Sequence, residues 1–475
     1  MFPEFTIIVM SSLFPLLLRG SVDEDLKRLH KKIMHRYNRN VLPSKHPLIP
    51  VELFLGLRLE KIVDIDNRNQ VMTTNVWLIH QWVDSKLTWD PREYGNVERI
   101  EIPSSMIWLP DVVLYNNADG TFVVDTFNWA HVFCNGTVKW STPVTFKSHC
   151  GINIQYYPFD IQNCTLKFGV WSHGKKQIIL RHESGQVIAN PGVDLSSYEE
   201  SIEWDLLAAP AIRHEIGYEC CPGDEFLDIT FCLEIRRKSL FYTVNLIAPC
   251  VCIAFLAIMV FHVPSASGEK MTLSISILVA LQVFYLLMIE ILPSTSLHVP
   301  LLGKYLLFTF VFVSASIILA LVIVNIHFRD PKMHRMPFWC RLLFFEKLPP
   351  LLLMDKPTFP AAFIRLLDND SNADQQSSSE DDESTNIEQH LSHRDASSDY
   401  SGLRAIRKNI RLINKCKRSE VHDKIITDAW AYVALVMDRI CLIIYALTFI
   451  IGTAACLFTA PTLYDNRKSL TANLS

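Results

Sequence analysis

The sequence predicts an extracellular antiparallel β-sandwich with an N-terminal helix, joined to a four-helix transmembrane bundle and a partly disordered cytoplasmic loop. Three observations carry this. Four stretches stay apolar for about 20 residues or more, enough to cross a bilayer core of ~30 Å. Upstream of them, short runs alternate apolar and polar residues between Gly, Pro, Asn and Asp turns, the period of half-buried strands. Hydrophobic residues make up 49% of the 475-residue chain, and mean hydropathy is +0.19. Net charge is only −4, so no global bias points to nucleic acid.

The chain opens on "MFPEFTIIVMSSLFPLLLRGS". The apolar run ends in small residues at Gly20 and Ser21, so residues 1–21 read as a signal peptide. No Lys or Arg precedes the run and Glu4 stands where a basic residue is usual, so a buried first helix is the alternative. Residues 22–238 begin with a helix, "DEDLKRLHKKIMHRYN", and continue in strand-like runs such as "NVWLIHQWVD", "TVKWSTPVTF" and "DITFCLEIRR". Short strands at this spacing build an antiparallel sandwich.

Asn135-Gly-Thr and Asn163-Cys-Thr are glycosylation sequons, and Asn473-Leu-Ser is a third, which fits an exported location. An oxidising compartment favours disulfides. Cys150 and Cys164 enclose "GINIQYYPFDIQN", and Cys220 and Cys221 stand side by side as the other natural pair. Cys134 and Cys232 remain, and their pairing stays open. Cys250, Cys252, Cys340, Cys416, Cys441 and Cys456 fall in spans or cytoplasmic loop and are expected free.

The apolar stretches are Leu240–His262, Thr272–Leu292, Tyr305–Val324 and Trp430–Phe458. They assign 239–327 to the first three spans and 429–460 to the fourth. Signal removal puts 22–238 outside, and four crossings return 461–475 outside. The intervening loop, 328–428, opens with Arg329, Lys332, Arg335 and Arg341, as the positive-inside rule requires. Its centre, "DNDSNADQQSSSEDDESTNIEQH", is acidic and nearly free of apolar residues, the composition of a disordered segment. From 401 to 428, Leu403, Ile406, Ile410 and Ile413 alternate with Arg404, Arg407, Lys408 and Arg411. This reads as a basic amphipathic helix, touching lipid headgroups or lining a cytoplasmic exit.

The second span is patterned rather than uniform. Glu269, Thr272, Ser276 and Glu290 interleave with Val279, Val283 and Leu286 at steps of three and four, one stripe of a helix. Leu273, Ile277, Phe284 and Leu287 occupy the opposite face. A polar stripe facing lipid is costly, so it faces water or another helix. Carboxylates at both ends, Glu269 and Glu290, would attract cations. Pro249 in the first span removes a helix hydrogen bond and predicts a bend. Asp438 and Arg439 near the fourth span's start either pair with each other or snorkel. His80, His149, His173 and His182 are scattered, and no nucleophile–base pair, metal-ligand spacing or cofactor motif stands out, which argues against an enzyme.

Five motifs give the chain a resemblance. They are "WDPREYG" (Trp89–Gly95), "WLPDVVLYNNADG" (Trp108–Gly120), "CGINIQYYPFDIQNC" (Cys150–Cys164), "YECC" (Tyr218–Cys221) and "GEKMTLSISILVALQVFYLLMIEILPSTS" from Gly268. The sequence resembles the Cys-loop family of pentameric ligand-gated channels, and within it the α-type nicotinic acetylcholine receptor subunits. The resemblance implies a Cys150–Cys164 disulfide and a Cys220–Cys221 disulfide between neighbours at a hairpin tip. It implies a cation-binding aromatic cage of Tyr115, Trp171, Tyr218 and Phe226, capped by Cys220 and Cys221. Aromatic faces suit a quaternary ammonium, which has no N–H to donate. Phe226 stands where the family usually has a second tyrosine, so a hydroxyl is lost. Trp77 matches the tryptophan that the neighbouring subunit contributes, while Trp82, five residues on, belongs to the core.

The resemblance further implies a pore lined by the second-span stripe, with Val279, Val283 and Leu286 as its apolar constriction. Val279 replaces the family's usual leucine. The "SGEK" before the span lacks the extra residue of anion-selective relatives. Tyr157, Pro158 and Phe159 are placed against "PSTSLHVP", and Arg237 is the family's buried interface arginine, with Asp66, Asn67 and Arg68 nearby. The implied partners are acetylcholine or a related small amine, further subunits of a homo- or heteropentamer, and membrane lipid, with no nucleic acid. The implied location is the plasma membrane, at a postsynaptic site. A membrane-anchored ligand-binding adhesion protein without a pore is the reading from another class, and the polar stripe argues against it.

Overall fold

The computed structural model describes residues 24–470 apart from Pro47, 123–127, 218–222, 293–297, Lys332, Arg335 and 355–398. The expected signal peptide, acidic loop centre and third sequon lie outside the described residues. The chain divides into two compact units, one holding residues up to Asn245 with Leu286–Gly303 and the segment from Phe458, the other Leu246–Tyr285 and Lys304–Leu457.

The first unit begins with a helix over 24–34 and continues as two sheets. Its strands are β1 (Val51–Asp66), β2 (Val71–Thr88), β3 (Arg99–Pro103), β4 (Val112–Leu114), β5 (Trp129–Phe133) and β6 (Asn135–His149). Then come β7 (Ile161–Val170), β8 (Ile178–His182), β9 (Ile188–Ala189), β10 (Trp204–Ala208), β11 (Ala211–Gly217) and β12 (Glu225–Arg237). One sheet has the order β3-β5-β6-β2-β1-β8, the other β4-β7-β12-β11-β9 with β10 also on β12.

Alternation decides which side chains enter the core. On β1, Leu53, Leu55, Leu57 and Leu59 point inward at 0–2% exposure, each worth about 1.5–3 kcal/mol of burial. On β2, Trp82 is buried at 1% and Trp77, an odd step away, faces outward and is half-buried, as the period of two requires. The sandwich is antiparallel as expected, with one parallel pair added, β1 with β8, Val51 opposite Ile178.

Among the described residues, four helices are long and apolar enough to cross a membrane: Leu240–His262, Lys270–Ile291, Leu301–His327 and Ile406–Leu457. In the first, a π-helical turn at Thr243–Ile247 precedes the α-helix Ala248–Met259. Pro249 thus directly follows a π-helical turn, an irregularity of the kind that accompanies a break in the regular helix hydrogen bonding. The last is part of an unbroken 59-residue helix, Asp399–Leu457, so the basic segment and the fourth span are one element. Asp438 does not pair with Arg439. It accepts from the Lys270 ammonium at the base of the second span and, at 3.4 Å, from the Ser265 hydroxyl. A buried carboxylate needs a cation more than an exposed partner one residue away can supply.

Candidate functional site: an aromatic recess, a polar helix face and a buried arginine

β7 ends at Val170, and the next residue, Trp171, leaves the sheet with its ring 67% exposed. The register holds it there: Val112 opposes Val170, and the Trp171 N–H donates to the Asp111 carbonyl at 3.1 Å. Tyr115 follows β4 and is fixed by its N–H to the Lys167 carbonyl at 2.7 Å and its hydroxyl to the Val170 carbonyl at 3.0 Å. The two rings meet edge to face, centroids 6.2 Å apart and planes at 69°. Gly169 makes this possible, because a Cβ there would lie 2.3 Å from the Tyr115 ring.

The β11–β12 hairpin rises beside them. Ile216 pairs with Phe226 and Gly217 with Glu225, which puts Phe226 at the hairpin's upper end. Tyr218, Cys220 and Cys221 lie outside the described residues. Two lysines after Trp171 fasten its loop to the hairpin. Lys175 bridges Glu225 at 2.7 Å and also Glu215, and Lys176 bonds Asp224 at 3.0 Å and the Gly223 carbonyl at 2.8 Å. Sequence reasoning missed Gly169, Lys175 and Lys176. The facing charges of "HGKK" and "PGDE" were the available signal. Trp77 is on the other sheet, opposite Arg58, with its indole N–H donating to Glu60. One chain therefore does not bring Trp77 to Tyr115 and Trp171.

On the second span, Glu269, Thr272, Ser276, Val279, Val283, Leu286 and Glu290 are all exposed, with Val279 at 59% and Leu286 at 62%. They form a continuous uncovered stripe. The packing face differs from expectation. Ile277 is buried, but Leu287 is 46% exposed, and Ser274, Leu281 and Met288 are the buried residues beside Ile277. That set follows the steps of three, four and seven that keep one helical face inward.

At the other end of the sandwich, the Cys150–Cys164 disulfide closes its loop with Cα atoms 5.0 Å apart. Inside that loop Asp160 meets Arg237 of β12 at 2.8 and 3.1 Å, both side chains essentially buried. Arg237 also reaches Asn67 at 2.9 Å and Glu203 at 3.3 Å. Its guanidinium stacks over Trp204 at 4.1 Å, Tyr157 at 5.0 Å and Tyr242 at 5.5 Å. The Tyr157 carbonyl accepts from the Leu302 N–H at 3.4 Å, and the Phe159 carbonyl from the Thr462 hydroxyl at 2.6 Å. The expected linker "PSTSLHVP" lies outside the described residues over 293–297.

Asn135 and Asn163 are both exposed. Cys134 and Cys232 stand as separate thiols, as do the six cysteines of the spans and cytoplasmic loop. His80 is buried against Trp140, and His182 bonds Ser184 and the Gly192 carbonyl. Among the described residues no three His, Cys, Asp or Glu converge to hold a metal.

Residues 26–239 match the family described as the neurotransmitter-gated ion-channel ligand binding domain, and residues 246–457 match the neurotransmitter-gated ion-channel transmembrane region. The chain is 41% identical over 479 residues to the acetylcholine receptor subunit alpha-type unc-63 of Caenorhabditis elegans, covering 94% of this chain and 95% of that protein. It is 38% identical over 481 residues to the neuronal acetylcholine receptor subunit alpha-2 of Homo sapiens, covering 94% and 89%. With the acetylcholine receptor subunit alpha-like 2 of Drosophila melanogaster, identity is 49% over 337 residues, covering 70% and 58%.

Proposed function

The chain belongs to the neurotransmitter-gated ion-channel family, and from that premise we propose that it is a subunit of a pentameric acetylcholine-gated cation channel. The observation that carries the reading is the Tyr115–Trp171 recess, with Trp171 67% exposed at the end of a strand and Tyr115 edge-on at 6.2 Å. An exposed tryptophan face suits an ammonium. Tyr218, Phe226 and the Cys220–Cys221 tip complete the principal side of the cage. Trp77, on the opposite sheet, serves the next subunit's site. Having both faces in one chain permits a homopentamer.

Arg237, Tyr157, Pro158 and Phe159 couple agonist binding to channel opening. Five copies of the second-span stripe line the pore. Glu269 and Glu290 form its acidic rings, Thr272 and Ser276 its polar lining, and Val279, Val283 and Leu286 its apolar gate. The domain limits follow the expected 22–238, 239–327, 328–428, 429–460 and 461–475, after removal of 1–21. The protein sits across the plasma membrane at a postsynaptic site, both termini outside and glycans on Asn135 and Asn163. The missing hydroxyl at Phe226 favours a second reading, a channel gated by choline or another small amine.

Voltage clamp of cells expressing this chain tests the proposal, alone and together with a second subunit. Acetylcholine should evoke a current whose reversal potential follows sodium and ignores chloride. Trp171→Ala should raise the half-maximal concentration by roughly 2- to 30-fold, the equivalent of about 0.5–2 kcal/mol for one cation–π contact. A chloride-following current, or no change in Trp171→Ala, defeats it.

A further inference from the structure

The N-terminal helix carries two faces. Leu29 and Ile33 are buried at 0% and 8%. On another face, Arg28, Lys31, Lys32, His35 and Arg36 recur at steps of three and four, which stacks them along one side of the helix and the turn that ends it. Lys86, near the end of β2, comes from a different element and lines the same recess. The recess has a volume of about 660 Å³, with Tyr37 and Trp89 also on its wall. That is the size range of a ligand site.

The cations are only partly neutralised. Arg28 pairs with Asp25 at 3.0 Å and Lys32 with Glu93 at 3.6 Å. Asp84 is occupied by the Tyr37 hydroxyl at 2.7 Å and the Lys86 backbone N–H at 2.9 Å. Lys31, Arg36 and Lys86 are exposed, and among the described residues their side chains have no hydrogen bond or ion pair. Like charges stacked at i,i+4 cost a helix stability. The helix dipole offsets that for the last turn, but it does not account for Lys86 on a strand.

From this convergence we propose that the recess is a binding site for a sulfated glycosaminoglycan. Clusters of lysine and arginine take sulfated polysaccharides or nucleic acids, and the placement of 22–238 outside the cell, which rests on the function proposed above, selects the polysaccharide. A single phosphate would fill little of the recess. A polymer with closely spaced sulfates can engage the helix row, which runs about 12 Å from Arg28 to Arg36 at 1.5 Å per residue, and Lys86 together.

The test uses the full chain in nanodiscs of zwitterionic lipid, immobilised, with a heparin dodecasaccharide as the probe at near-physiological salt. Saturable binding that weakens as salt rises is expected, because exposed charges are screened. A combined Lys31→Gln, Arg36→Gln and Lys86→Gln variant should lose at least about ten-fold in affinity. These side chains are exposed and, among the described residues, unpaired, so the fold does not depend on them. A Lys139→Gln, Lys147→Gln variant elsewhere on the sandwich should bind like the parent. Heparosan, which carries carboxylates without sulfates, should bind at least about ten-fold more weakly than heparin. Absence of saturable binding, unchanged affinity in the triple variant, equal loss in the Lys139/Lys147 variant, or equal binding of heparosan would each overturn the proposal.

Discussion

Asp160→Asn isolates the charge that faces Arg237 while keeping the shape of the side chain. Arg237 and Asp160 have side chains 0% and 2% exposed, joined by bonds of 2.8 and 3.1 Å. Removing one partner of a buried pair costs about 3–5 kcal/mol, because the other charge is left without compensation. Here Glu203 at 3.3 Å and Asn67 at 2.9 Å remain, and Asn keeps one acceptor. The lower end, about 3 kcal/mol, is the expected cost. For a unit of this size that lowers the melting midpoint by roughly 6–12 °C. Thermal melting of the purified full chain, followed by size exclusion, measures it. Arg237→Lys should lie between parent and Asp160→Asn, since an ammonium keeps charge but loses the fork and the stacking on Trp204. Arg237→Met combined with Asp160→Leu should lose less than Asp160→Asn alone, as apolar replacement of both partners removes the uncompensated charge. A melting point for Asp160→Asn within about 1 °C of the parent would refute the reasoning, for it would mean that the pair is not shielded from solvent.

Three further outcomes are expected. Burial pulls His80 from its ordinary value of 6.5 down to about 3, so the folded state holds it neutral. Stability is then complete above pH ~6.5 and falls as pH drops toward 3, by up to ~1.4 kcal/mol per unit. His80→Phe should flatten this slope in melts between pH 7.5 and 5.5, and parallel slopes would count against it. Gly169→Ala places a Cβ 2.3 Å from the Tyr115 ring, so Tyr115 must leave Trp171. Agonist concentration–response curves should shift right by about ten-fold, from the loss of roughly 1–2 kcal/mol at the proposed cage, with surface expression retained. Val279→Leu enlarges an exposed residue of the proposed gate, and should raise the agonist concentration required and speed current decay. Unchanged currents would remove Val279 from the gate.

Much of the fold was legible because it is local. Period-two burial on β1 and β2 separated Trp77 from Trp82, and long apolar runs located the first three spans to within a few residues, whereas the fourth helix begins more than twenty residues before its apolar run. What escaped is non-local. The parallel β1–β8 pair joins strands more than a hundred residues apart, and alternation says nothing about direction. Lys270 and Asp438 meet across 168 positions, so a reader of the chain sees only Asp438 beside Arg439. In the recess, Trp171 and Tyr115 were legible through family resemblance. Gly169 was not, since its role exists only once Tyr115 is folded over it.

The helix Asp399–Leu457 has 59 residues, a length of about 88 Å at 1.5 Å per residue. Crossing a ~30 Å core uses about 20 of them. Roughly 60 Å therefore stands clear of the hydrocarbon as a rigid pointer, with Arg407, Lys408 and Arg411 exposed along it. A helix adjusts its tilt to bilayer thickness. Each 5° of tilt swings the far end by about 5 Å on this geometry. Lipid composition thus becomes a displacement of positive charge far from the lipid, with no hinge needed to transmit it.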